Sequence, residues 1–267
     1  MKNEKFIPEG WIEDVSPITK EMLNNAIKTG DILQGIVSKC DSNYNLYVNL
    51  ENNIKGIIPR SEVEAINVDE MGITKPKICE NKVNKFVQFK VKELDNNNNF
   101  ILSRKEVEKE AMSWMKMELK EGQIVKGIVK SIKPYGAFIE IGGGVVALLH
   151  IEDISVARIK SPLERLSIGQ KIEVMIKSID RTNERIFLTY KELLGTWEEN
   201  VKDFKAGTIV EGIAKETEKN KNGIFVELKP NLVGMAEYKE GIEYGNKVCV
   251  YIKKIIPERK KIKLLFV

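Results

Sequence analysis

Apolar and polar positions alternate over short stretches along most of the chain. In the middle third, IVKGIVKSI from Ile124, AFIEI from Ala137, VVALLHI from Val145, KIEVMIKSID from Lys171 and RIFLT from Arg185 are rich in β-branched residues. Such runs favour pleated strands. Breakers separate them. Lys133-Pro134-Tyr135-Gly136 predicts a turn or bulge, and the glycines at 142–144 predict a tight turn. Glu152 to Ser167 is polar and helix-like, interrupted by Pro162. Five short strands with a short helix between the third and fourth predict a small closed barrel of the OB type. An SH3-like barrel is the alternative, but it would not need the 152–167 insertion.

The pattern occurs three times. GDILQGIV at Gly30, GQIVKGIV at Gly122 and GTIVEGIA at Gly207 open alike. Each leads to an aromatic in a shared pattern: Tyr47-Val48-Asn49-Leu50, Phe138-Ile139-Glu140-Ile141 and Phe225-Val226-Glu227-Leu228. Each closes on a β-rich tail: FILSRKEV, RIFLTYKEL and KIKLLFV. Repetition of this kind decides architecture before any single motif does. The expected fold is all-β: three consecutive five-stranded OB-fold barrels joined by short helical linkers. The expected boundaries are an N-terminal arm and short helix at 1–27, module one at 28–107, a linker at 108–120, module two at 121–192, a linker at 193–204 and module three at 205–267. Lys105–Lys120 holds strong helix formers without Gly or Pro, and Leu193–Phe204 is shorter and similar. Thr19 is placed to cap a helix reaching Lys28, with Met22 at N3. Residues 1–17, with two prolines, read as an extended arm, and the insertion from Asn67 to Glu80 has no assigned element.

Strand parity then separates faces. Ile139 and Ile141 share one side of their strand, and Phe138 shares the other with Glu140. The carboxylate is expected in water, so Phe138 is expected in water or at a rim. The same parity pairs Tyr47 with Asn49 and Phe225 with Glu227. An aromatic repeated on the polar face is either covered by a neighbouring module or serves as a stacking platform for unpaired bases. Tyr135, at the Gly136 kink, and Arg185, outward because Ile186 and Leu188 alternate inward, fall beside it. Tyr44 holds the Tyr135 position in module one, and Asn222 holds it in module three. Lys130 and Lys133 lie near the same strand end, where lysines ordinarily form a solvated face. A guanidinium beside aromatics suits phosphates and base planes.

Charge and composition narrow the chemistry. Among 267 residues, 43 Lys and Arg face 39 Asp and Glu, a balance too mild to prove a polyanionic partner by itself. No apolar run reaches the length of a membrane span, and MKNEKFIPEGW lacks the apolar stretch of a secretory signal. Cys40, Cys79 and Cys249 are scattered, as expected of reduced thiols in a cytoplasmic protein. With His150 the single histidine, neither a zinc site nor a catalytic triad can readily be assembled. Gly142 to Ala147 matches a dinucleotide-loop spacing, but the β-branched run after it is no helix. No cofactor, no metal and no enzymatic activity are expected. Module three is the most basic, with 13 Lys and Arg against 8 Asp and Glu from 205 to 267, and Lys253, Lys254, Arg259, Lys260, Lys261 and Lys263 cluster.

The middle module resembles the RNA-binding domain of ribosomal protein S-one. The resemblance rests on the GxVxGxV opening, Tyr-Gly-Ala-Phe, Leu-Leu-His-Ile and the closing Asp…Arg-Ile-x-Leu-Thr. It extends over roughly 28–267, as in a short, three-repeat bacterial relative. It implies an RNA surface of two aromatics, a histidine, an aspartate and an arginine, matched here by Tyr135, Phe138, His150, Asp180 and Arg185. Lys133, Tyr44, Tyr47 and Phe225 are secondary candidates. The flanking modules depart from the pattern: Pro59 and Asn99 replace the histidine and arginine in module one, although Asp95 is kept. Module three has Asn222, Glu237 and Lys261 at the other positions. The implied function is binding of single-stranded RNA, mRNA foremost, with low sequence specificity in translation. The implied partner is the small ribosomal subunit, and a monomer with no membrane contact is expected. The rival reading is a protein-interaction scaffold; single-stranded DNA would use the same platform.

Overall fold

Three closed five-stranded barrels follow one another in the computed structural model, which describes residues 6–13, 16–51, 54–215 and 223–267. Barrel one comprises β1 (Leu33–Cys40), β2 (Leu46–Asn49), β3 (Lys55–Ile58), β4 (Phe86–Leu94) and β5 (Asn99–Ser103). Barrel two comprises β6 (Ile124–Lys133), β7 (Gly136–Gly142), β8 (Val145–His150), β9 (Lys171–Asp180) and β10 (Arg185–Thr189). Barrel three comprises β11 (Ile209–Lys215), β12 (Ile224–Lys229), β13 (Leu232–Ala236), β14 (Lys247–Ile256) and β15 (Lys261–Phe266). In each, the third and fifth strands run parallel and close the barrel. The alternation explains the cores. In β9, Ile172, Val174 and Ile176 are buried while Lys171, Glu173 and Lys177 face out. Bulges recur at Lys92, Lys177 and Lys253, where the register shifts. An extra residue there bends the strand and helps the sheet coil shut.

Helices connect the barrels. α1 (Lys20–Thr29) starts at Thr19, whose side chain accepts from the Met22 N–H at 3.2 Å. α3 (Arg104–Glu118) follows α2 (Pro76–Glu80) and is capped by Ser103. Its buried stripe of Val107, Ala111, Met112 and Met115 joins the core of barrel two, together with Phe6 from the arm. The glycine turn at 142–144 exists for this packing. All three have positive φ; a Cβ on Gly142 would meet the Phe6 carbonyl oxygen at 2.8 Å, and one on Gly144 would overlap the Arg104 guanidinium. β8 follows the turn directly, so no helix receives a dinucleotide there.

Three expectations change. The 152–167 segment forms 3-10 turns at Ile151–Asp153 and Pro162–Glu164 and no α-helix. Pro162 suits a first turn but offers no N–H to extend one, and the segment is drawn onto module three, with the Ala157 N–H donating to the Pro230 carbonyl at 2.9 Å. The second linker is broken: a 3-10 turn at Lys191–Leu194 ends at Gly195, and Thr196 caps the short α4 (Trp197–Val201). Gly195 adopts φ 82°, a conformation glycine enters without strain. The described part of the arm does not stand free. Phe6, Pro8 and Glu9 are buried between barrels one and two. The Asn67–Glu80 insertion holds a Val68–Thr74 bridge and then α2.

Candidate nucleic-acid interface

Strand register assembles one outward row across barrel two. Ser131 pairs with Phe138, Phe138 with Leu148, Leu148 with Phe187 and Phe187 with Ser178. Inward neighbours Ala137, Ile139, Leu149, Ile186 and Leu188 fill the core. Phe138, Leu148 and Phe187 therefore form a half-buried apolar strip over three strands. Tyr135 stands at its edge, 50% exposed, its ring 6.1 Å from that of Phe138 in an edge-to-face arrangement. Gly136 lies opposite His150, and the Ile151 N–H donates to the Tyr135 carbonyl at 2.9 Å. These pairings bring Tyr135, Phe138 and His150 together.

Asp180 and Arg185 form a second group, directly opposite each other on β9 and β10. Arg185 lies two residues from Phe187 and is exposed, so the strip joins the two groups. Asp180 organises the β9–β10 turn: its carboxylate accepts from the N–H groups of Thr182 and Asn183 at 3.1 and 3.0 Å and from the Asn183 amide at 2.7 Å. Hydrogen bonds from Asn183 and then Thr182, with Arg185 nearby, hold its carboxyl below the usual range. The His150 Nδ1 accepts from the Glu152 N–H at 3.4 Å, and its side chain stays 42% exposed. Lys133 is exposed at the end of β6. Phe187, the open position of the closing motif, and Leu148, the first residue of Leu-Leu-His-Ile, are not among the candidate surface residues, although the alternation that turned Arg185 outward also turns Phe187 outward.

The parity of Glu140 is right but its environment is not water. Glu140 is 1% exposed, because the arm covers that end of the strip. It accepts from the N–H groups of Glu9 at 2.8 Å and Gly144 at 3.1 Å, and pairs with Lys130 at 2.6 Å. Lys130, itself still exposed, is thus tied into the network through its ammonium. Glu9 meets Arg104 through Nε at 2.7 Å and Nη2 at 3.0 Å. Burial opposes ionisation of Glu9, but Arg104, Lys82 and Lys130 prevail and bring its pKa down to about 2. Burial, then the charge of Glu9, pushes Glu140 up. The strongest electrostatic perturbations therefore lie in the joint between barrels one and two, at the covered end of this strand face. Glu227, its counterpart in barrel three, is likewise buried and engaged by Arg165 and Lys215.

A family model described as the S1 RNA binding domain matches residues 26–105 and 118–191, more than half of the chain. The chain belongs to the S1 RNA-binding domain family. The small ribosomal subunit protein bS1 of Staphylococcus aureus (strain COL) is 37% identical over 195 residues, covering 67% of this chain and 49% of that protein. A Clostridium tetani protein named 4-hydroxy-3-methylbut-2-enyl diphosphate reductase is 29% identical over 324 residues, covering 98% of this chain and 50% of that protein. The chain spans about half the length of these curated relatives. The solved a/eIF2alpha–aDim2p–rRNA complex from Pyrococcus horikoshii OT3 matches at 27% identity, covering 32% of this chain and 51% of that chain, with a TM-score of 0.28.

The two matched S1 segments hold barrels one and two; barrel three repeats their strand order outside the matched residues. The S1 face of barrel one is altered by its own side chains. The Lys39 ammonium sits 4.3 Å from the Tyr47 ring centroid and the Arg60 guanidinium 5.3 Å from that of Tyr44. The Tyr47 hydroxyl donates to Asp41 at 3.3 Å. Cations already occupy these ring faces. Asn99 is taken up by Asp95, to which its amide donates at 2.9 Å. Phe225, in barrel three, is 36% exposed. Asn222 lies outside the described residues. No helix among the described residues is long and apolar enough to cross a membrane.

Proposed function

We propose that the chain binds single-stranded RNA, mRNA foremost, with module two as the reader. The observation that carries this is the strip Phe138–Leu148–Phe187 with Tyr135 at one edge and Arg185 two residues along β10. Bases stack on Tyr135 and Phe138, while His150 and Arg185 hold backbone or base edges. Asp180 acts by holding the β9–β10 turn beside Arg185. Stacking is sequence-tolerant, since every base has a π-face, so specificity is low. Lys133 adds a phosphate contact at the rim. Module one, with Tyr44 and Tyr47 under cations, is the weaker RNA site and favours a docking role. The S1 family and the bS1 relative support a binding protein acting in translation at the small ribosomal subunit, in the cytoplasm and without catalysis; a monomer is part of the proposal. Photocross-linking to a uridine-rich single strand tests the reading. Adducts at Tyr135 and Phe138 are expected. Adducts confined to other modules would overturn the assignment.

A further inference from the structure

The same strand row can be followed through all three barrels. In barrel one it runs Lys39, Tyr47, Ile57, Ile101, Glu93. In barrel two it runs Ser131, Phe138, Leu148, Phe187, Ser178. In barrel three it runs Lys215, Phe225, Met235, Lys263, Lys254. Only the third row ends in two cations directly opposite each other. Like charges at such a cross-strand position oppose folding. The bulge lysines show the same contrast. Lys92 pairs with Glu62 and Glu106 at 3.5 and 3.4 Å, and Lys177 with Asp153 at 2.7 Å. Lys253, in the equivalent bulge, pairs with no carboxylate among the described residues. The same holds for Lys254, Lys261 and Lys263. Lys261 occupies the position that Arg185 holds in barrel two. Beside these four lysines, Phe225 and Met235 are 36% and 46% exposed.

We propose that this face is a second RNA subsite, in which Lys254 and Lys263 each hold a phosphate and a base rests on Phe225 and Met235. It rests on the RNA reading of module two and adds a site dominated by phosphate contacts. The repulsion retained in the free protein is relieved by the negative charge of the strand. Arg165 and Lys215 play no part in it, because Glu164 and Glu227 hold them within the joint to module two.

The test is titration of the whole chain with a single-stranded RNA of about 35 nucleotides, long enough for two folds at up to ~16 nucleotides each. Two variants are compared, Lys254→Gln with Lys263→Gln, and Tyr135→Ala with Phe138→Ala. Each phosphate contact contributes about 0.7 to the log–log salt slope on a single strand. The lysine variant should flatten the slope by about 1.4, so its affinity falls about 7-fold less than wild type between 50 and 200 mM salt. The aromatic variant should lose affinity at unchanged slope. Without RNA, the lysine variant should melt higher, because the repulsion is gone. An unchanged slope in the lysine variant, or a lower melting temperature, overturns this subsite and leaves module two standing. Absence of binding by the wild-type chain overturns both readings.

Discussion

Glu9→Gln removes one negative charge from the joint between barrels one and two without changing side-chain volume. Glu9 Oε1 accepts from Arg104 Nε at 2.7 Å and from the Gln88 N–H at 3.0 Å, while Oε2 accepts from Arg104 Nη2 at 3.0 Å. The amide can replace one acceptor but points a donor at the other guanidinium N–H. Breaking a buried ion pair costs about 3–5 kcal/mol when the partner is left uncompensated. Arg104 is not fully abandoned: Glu64 lies at 3.6 Å, Glu108 at 4.0 Å and the Val63 carbonyl at 3.2 Å. The lower end, about 3 kcal/mol, is expected. At ~2–4 °C per kcal/mol for a unit of this size, the melting temperature of the joined barrels should fall about 6–12 °C. The pH dependence has a defined sign. Glu9 is depressed to about 2 from 4.5, so its stabilisation is complete above 4.5 and is lost as pH falls toward 2. Glu140 is raised, so it contributes in the opposite sense, favouring the fold at low pH and losing that contribution as pH rises. Calorimetry of both proteins from pH 7 to pH 3 should show the gap between them narrowing on acidification. A change under about 2 °C at pH 7, or a gap that does not narrow, would refute the Glu9–Arg104 pair as a stabilising contact of the joint.

Other perturbations probe separate parts of the account. Gly144→Ala places a methyl against the Arg104 guanidinium at φ 83°, so urea unfolding should show a loss of about 2–4 kcal/mol; a loss within 0.5 kcal/mol would show that the turn yields. Phe187→Ala should weaken RNA binding about 5-fold or more by opening the middle of the strip, with melting monitored to confirm that the barrel persists; unchanged affinity would remove Phe187 from the interface. Asn231→Ala deletes an amide that donates to the Gly195 carbonyl at 3.0 Å and to the Lys191 carbonyl, and accepts from the Val156 N–H at 3.1 Å. It should speed amide exchange at Val156 and cost about 1–3 kcal/mol; unaltered exchange would show that the joint to module three does not depend on it.

The barrels were legible because alternation of buried and exposed positions is local. Strands β9 and β10 fall on the runs that begin at Lys171 and Arg185, and Thr19 caps α1 through Met22 as its hydroxyl and position imply. The joints were not legible, because they depend on pairs far apart in sequence. Nothing near Glu140 announces that Glu9 will cover it, so its strand parity was correct while its solvent was wrong. The 152–167 segment carries helix-forming residues, yet Pro162 and its docking to Pro230 and Asn231 hold it in 3-10 turns. Phe187 was available from parity alone; the motif drew attention to Arg185 and passed over the residue two positions on. The row in barrel three needed the register, since Lys254 and Lys263 meet only across strands.

The central claim is that Tyr135 and Phe138 on module two form the stacking platform. Fluorescence anisotropy of a short labelled single-stranded RNA, titrated with the whole chain at two salt concentrations, tests it most directly. Wild-type affinity should weaken as salt rises, by counterion release. Tyr135→Ala with Phe138→Ala should bind about 5- to 150-fold more weakly for each stacked base lost, while remaining folded by circular dichroism. Equal affinity of the two folded proteins, or binding indifferent to salt, would contradict the account.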